Sequence, residues 1–141
     1  ARVVGFSTAD VMTPRQKFGD TFSSDQLGYY FAAATITPEF PGRGIYRTLN
    51  ERRLGFAVDA SLDMVFTQTQ NPRVQESITN TIRRLEPITG VSLLGIERVV
   101  RRGAYGKMLT ETQPYGKELS YDDIDYSAGD AAVVIWQLEK T

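Results

Sequence analysis

The stretch Asn71-Pro72-Arg73-Val74-Gln75-Glu76-Ser77-Ile78-Thr79-Asn80-Thr81-Ile82-Arg83-Arg84-Leu85-Glu86-Pro87 decides the fold. Val74, Ile78, Ile82 and Leu85 recur at spacings of four, four and three, which places them on one helical face, while Gln75, Glu76, Asn80 and Arg83 fall on the other. Asn71 is a good N-cap, and Pro72 suits the first helical position. Proline disfavours helical geometry in the residue before it, so Pro87 is expected to end the helix at about Glu86, with Gly90 completing the turn. The spacing predicts a helix over residues 73–85 that feeds the apolar run 91–100. That run reads as a strand whose parity changes near Gly95, as a bulge would produce. The run 131–138 has apolar residues at both parities and reads as a strand buried on both faces, beside the first.

Working outward, residues 59–66 read as a short helix capped by Asp59, with Leu62, Val65 and Phe66 on one face. Residues 45–56 place Tyr46, Leu49, Leu54 and Phe56 around Glu51-Arg52-Arg53 and suit a strand or bent connection. For residues 24–34, Ser24 as a cap and the alanines favour a helix, against Tyr29-Tyr30-Phe31 and Thr35-Ile36-Thr37, which favour a strand. The helix is taken. Pro38, Pro41, Gly42 and Gly44 then mark a break. Residues 1–24 follow neither period and read as an irregular N-terminal arm; residues 101–129, rich in Gly, Tyr, Asp and Thr, read as a long loop. The expected fold is α+β: two short helices on a small, mainly antiparallel sheet, with the arm at residues 1–24 and a single domain over residues 25–141.

Composition narrows the chemistry. The 141 residues include no cysteine and no histidine. No Ser-His or Cys-His pair, thiolate nucleophile or Cys-ligated metal can be built from them. The 16 basic and 17 acidic residues give a formal charge of -1, so no global field would hold the chain on nucleic acid or an anionic membrane. No apolar run approaches the length of a membrane span, and the N-terminus lacks a signal-peptide layout, so cytoplasmic synthesis is expected.

Four local features remain. The acidic loop Tyr121-Asp122-Asp123-Ile124-Asp125-Tyr126, with Asp130, offers oxygen ligands but no EF-hand spacing, and reads as a solvated loop. Arg98, Arg101, Arg102 and Lys107 around Tyr105 are weighed as a nucleic-acid surface. Glu51 and Glu86 are weighed as the two carboxylates of a muramidase. Gly42-Arg43-Gly44 and Gly103-Ala104-Tyr105-Gly106 are read as turns, for want of the strand-to-helix setting of a phosphate-binding loop.

Taken in order, Asn50-Glu51-Arg52, Asp63-Met64-Val65-Phe66, the helix closing on Arg84-Leu85-Glu86-Pro87 and the strand 91–100 resemble the baseplate wedge proteins of contractile phage tails, the gene-25 lysozyme-like family. Asn50 stands in place of that family's glycine, and Ile88 in place of the arginine of Glu-Pro-Arg. The resemblance implies a sheath-initiating structural protein of the virion's tail baseplate, with no catalytic residue, no cofactor and no metal. It further implies tail, baseplate and sheath partners in a symmetric assembly of multiple copies, without nucleic acid or membrane. The implied interface comprises Glu51, Arg52, Arg83, Arg84, Glu86 and Pro87.

Overall fold

A computed structural model of the chain describes residues 5–22, 24–36, 44–106 and 120–141. The α+β class holds. Strands β1 (Gly5–Met12), β2 (Gly28–Ile36), β3 (Met64–Thr69), β4 (Val91–Arg101) and β5 (Ala131–Lys140) alternate with helices α1 (Pro14–Phe18), α2 (Ile45–Asp59) and α3 (Pro72–Thr89). The sheet runs β1-β2-β3-β5-β4. Its pairings are antiparallel except β2 with β3, which is parallel.

β5 organises the core because its alternate side chains feed two apolar layers. Val134, Trp136 and Leu138 join Leu54 and Ala57 of α2 and Ile78 and Ile82 of α3 on one face of the sheet. Val133 and Ile135 join Phe18, Phe22, Tyr30, Met64 and Phe66 on the other. The expected pairing of residues 131–138 with 91–100 is present, with a register shift between Leu93 and Gly95 at the anticipated bulge.

Several elements differ from expectation. Helix α3 passes through Pro87 and ends at Thr89, although a proline there forgoes the bond its N–H would make to the Arg83 carbonyl. The stop is set by Gly90, which adopts φ 67° and donates its N–H to the Glu86 carbonyl at 2.9 Å. Residues 28–36 form a strand, not a helix. Tyr30 and Phe31 must face opposite cores, and Tyr30 packs its ring 5.7 Å from Phe18 and 5.2 Å from Phe66. Residues 45–59 form a helix whose buried positions are Asn50, Arg53, Leu54 and Ala57, a helical spacing occupied half by polar groups. Arg53 is held there by the Asn50 side-chain oxygen at 2.6 Å and the Thr8 carbonyl at 3.3 Å, with its guanidinium 4.3 Å over the Phe31 ring.

The short helix expected over residues 59–66 is instead the end of α2 and the start of β3, whose residues 64–69 all pair with β5. Part of the expected irregular arm is β1, which pairs with β2 through a bulge between Thr8 and Ala9. The rest includes α1, closed by a capping box between Thr13 and Gln16. The expected break at Pro38, Pro41 and Gly42, and Lys107 of the basic stretch, lie outside the described residues.

A candidate active-site crevice where two parallel strands part

β2 and β3 pair only at Tyr29 with Val65 and at Tyr30 with Phe66. Beyond that point β2 stays with β1 and β3 stays with β5, so the sheet opens into a crevice. The hydroxyl of Thr67 spans its base, donating to the Phe31 carbonyl at 2.7 Å. Above lies a cavity of about 150 Å³ lined by Phe31, Tyr46, Arg53, Thr67, Val74 and Ile78.

Each of the two parallel strands is followed by a helix, so the N-termini of α2 and α3 lie beyond the carboxyl ends of the strands. That is where open α/β sheets receive ligands. The two termini differ. At α3, the Asn71 side chain accepts the Arg73 N–H at 2.9 Å and Pro72 has no N–H to satisfy. At α2, the cap is Gly44 with φ 70°, no side chain among the described residues caps the helix, and no acidic residue sits in the first turn. The first N–H groups of α2 are therefore available to an anion.

This changes the reading of Gly42-Arg43-Gly44. β2 ends at Ile36 and α2 begins at Ile45, so the segment lies in the strand-to-helix connection thought to be missing. Gly44 is its described member. Gly103-Ala104-Tyr105-Gly106 remains a turn, closed by the Gly106 N–H on the Gly103 carbonyl at 3.1 Å.

A larger cleft of about 780 Å³ runs between α2 and α3, lined among others by Tyr46, Arg47, Arg73, Glu76 and Arg84. Tyr46 borders both cavities. Glu51 joins the helices, accepting from Arg84 at 2.7 Å and from Arg47 at 3.2 Å. The bonds from Arg84, then those from Arg47, hold its carboxyl below the usual carboxylate range.

Of the implied interface residues, the structure brings together Glu51 and Arg84. Arg52 and Arg83 are exposed on their helices, and Glu86 and Pro87 lie in the last turn of α3. Glu51 is ion-paired and acidified, which removes the proton a muramidase acid needs. The nucleic-acid alternative does not fit, because the three arginines of its basic stretch that lie among the described residues are engaged within the fold. Arg98 makes a bidentate pair with Asp123 at 2.6 and 3.0 Å, Arg102 meets Asp130 at 2.7 Å, and Arg101 donates to Gln68 while lying 4.9 Å over Phe18.

The acidic loop is accordingly an anchor. Asp130 is buried and accepts from the N–H of Gly103 at 2.7 Å, Arg102 at 2.7 Å and the N–H of Asp125 at 3.1 Å, tying both ends of the β4–β5 connection. Burial pushes its carboxyl up, but the bonds from Arg102, Gly103 and Asp125 outweigh it and hold the carboxyl below the usual range. A depressed folded value means stabilisation that is complete above the unfolded value of about 3.9 and is lost as pH falls through the folded one. Asp130→Asn is expected to cost about 2 kcal/mol at neutral pH, with the gap from wild type shrinking below about pH 4. Urea unfolding across pH checks this; a gap independent of pH would show that the charge is not what stabilises the connection.

No family model matches the sequence, and no curated protein matches it. The fold, however, is similar to solved structures. The Chaetomium thermophilum Naa20 structure, determined in complex with a bisubstrate analogue, superposes with a TM-score of 0.52 at 16% identity, over 95% of this chain and 58% of that one. The NatC complex bound to Gag peptide and CoA gives 0.47 at 17%, over 96% and 62%. A Bacillus subtilis acetyltransferase in complex with CoA gives 0.45 at 11%, over 96% and 70%. This chain thus spans a little under three fifths of the Naa20 chain. The likeness in fold is to Naa20, and it overturns the resemblance to a baseplate wedge protein. With that resemblance fall the expectations of a non-enzymatic structural role, of sheath and baseplate partners in a symmetric array, and of a place in the virion.

Proposed function

We propose that the crevice binds an acyl-CoA-type thioester and that the chain transfers its acyl group to an amine. The observation that carries the reading is the parting of β2 and β3 after two residue pairs, below an α2 N-terminus that no side chain among the described residues caps. A diphosphate is matched to such a terminus, where free N–H groups and the positive end of the helix dipole converge. An extended acyl-thiol arm is matched to the slot between the strands, where backbone groups freed from pairing need partners. The similarity in fold to Naa20 supports the same reading.

The residues present fit such a donor: cationic Arg47, Arg73 and Arg84 line the cleft next to the slot, whose walls include Phe31, Val74 and Ile78. With no cysteine or histidine in the sequence, these residues support direct transfer without an acyl-enzyme. The amine nitrogen attacks the thioester carbonyl carbon, the C–N bond forms as the C–S bond breaks, and the proton the nitrogen gives up is taken by the departing thiolate, which leaves as the free thiol. Titration calorimetry is expected to show acetyl-CoA binding in the micromolar range, and free thiol should appear when a panel of primary amines is added. Absence of binding at millimolar acetyl-CoA would overturn the proposal.

A further inference from the structure

On the face of the sheet opposite α2 and α3, a second group of polar side chains converges on the crevice. Gln68 is the link. It lines the cavity between β2 and β3, and its register opposite Val133 sends its side chain to the layer of Phe18, Tyr30 and Phe66. There its amide oxygen accepts from Arg101, which reaches across β5 past the small Ala131 and lies 4.9 Å over the Phe18 ring. Tyr105, in the turn after β4, donates its hydroxyl to the Gln68 carbonyl at 3.3 Å, and the charge of Arg101 acts on the hydroxyl of Tyr30. Lys17 of α1 holds its ammonium 5.3 Å from the centre of the Tyr30 ring.

This group is cationic. Arg98 and Arg102 are matched by Asp123 and Asp130, whereas Arg101 is half-buried and bonds only the neutral Gln68 amide. Neither Arg101 nor Lys17 makes an ion pair among the described residues, although Asp10, opposite Tyr30, and Glu97, opposite Ile135, lie on the same face. A guanidinium drawn partly out of water without a counter-ion is costly, and its planar fork is shaped for a carboxylate. Resting on the donor reading above, we infer that the acyl acceptor is a small amine bearing a carboxylate, an amino acid, which Arg101 binds on this face while the amine enters the crevice beside Gln68. The acyl group passes from the thioester sulfur to that nitrogen, whose proton goes to the departing thiolate, giving an N-acyl amino acid and the free thiol. Arg101 thus sets the choice of acceptor and takes no part in binding the donor.

Thiol release from acetyl-CoA tests the inference with glycine, β-alanine and γ-aminobutyrate, each against its carboxamide, on wild type, Arg101→Gln and Arg101→Lys. For at least one spacing of amine and carboxylate, wild type is expected to show a kcat/KM about tenfold higher for the acid than for the amide, the worth of one charge-assisted contact. Arg101→Gln should narrow that gap to less than about twofold, mainly through KM, and Arg101→Lys should keep part of it, since an ammonium supplies the charge without the fork. Acetyl-CoA affinity by calorimetry should stay within about twofold of wild type in both variants, because uniform loss is what a merely structural role would give. A wild type that binds acetyl-CoA but prefers no acid over its amide, an Arg101→Gln variant that retains the full gap, or an acetyl-CoA affinity that falls with the Arg101 charge overturns this inference while leaving the donor reading standing. If wild type does not bind acetyl-CoA, the donor reading fails and the inference fails with it.

Discussion

Trp136→Ala is expected to lower the unfolding free energy by about 3–5 kcal/mol, a large part of the total for a domain of this size. Trp136 has no exposed surface and pairs in register with Val65 of β3 on one side and Ile96 of β4 on the other. It packs in the same layer as Ile78 and Ile82, so its removal opens a cavity where sheet and α3 meet. Its indole N–H also donates to the Thr79 hydroxyl at 2.9 Å, while that hydroxyl donates to the Gln75 carbonyl at 2.8 Å. Trp136→Phe separates these contributions: it keeps most of the ring, leaves Thr79 bonded to Gln75, and should cost about 1–2 kcal/mol. Urea unfolding followed by far-ultraviolet circular dichroism gives both values, and the unfolding slope should stay constant if compactness is unchanged. A loss below about 1 kcal/mol for Trp136→Ala would mean that the layer collapses around the vacancy and that β5 is not its keystone.

What could be read from the sequence was what packing leaves in a simple period. Helix α3 was legible because Val74, Ile78, Ile82 and Leu85 lie on one face and pack on the core. β4 and β5 were legible as long apolar runs, and even the bulge near Gly95 left its mark on parity. Helix α2 was not, because half of its buried face is Asn50 and Arg53, which are accommodated by partners that only the fold supplies. β3 was misread because a strand buried on both faces shows no alternation, and Leu62, Val65 and Phe66 happen to fall at helical spacing across the junction. That misreading hid the site. Without β2 as a strand and α2 as a helix, Gly42-Arg43-Gly44 had no strand before it and no helix after it, and its one available signal, the spacing of two glycines ahead of an Ile-Tyr-Arg run, stood without context. The crevice itself depends on a parallel pairing of two residues, which no local pattern announces.

Gly44→Asp should separate stability from binding. The Gly44 backbone has φ 70°, a region that aspartate tolerates better than most residues, and a Cβ there would meet no atom within 4 Å. A carboxylate at the start of α2 also interacts favourably with the helix dipole. The variant should therefore unfold within about 1 kcal/mol of wild type, with the modest backbone cost partly offset at the helix end. Binding is another matter, because the added charge sits where the proposal puts a diphosphate. Two like charges about 4–5 Å apart near a protein surface repel by up to about 4 kcal/mol before screening. Allowing for screening, acetyl-CoA affinity should fall about thirtyfold to one-hundredfold, and part of that loss should be recovered as salt rises. Gly44→Asn, of similar shape and without the charge, should lose far less. Should Gly44→Asp bind acetyl-CoA as wild type does, the donor's phosphates are not at the α2 terminus, and the crevice would have to be approached from elsewhere.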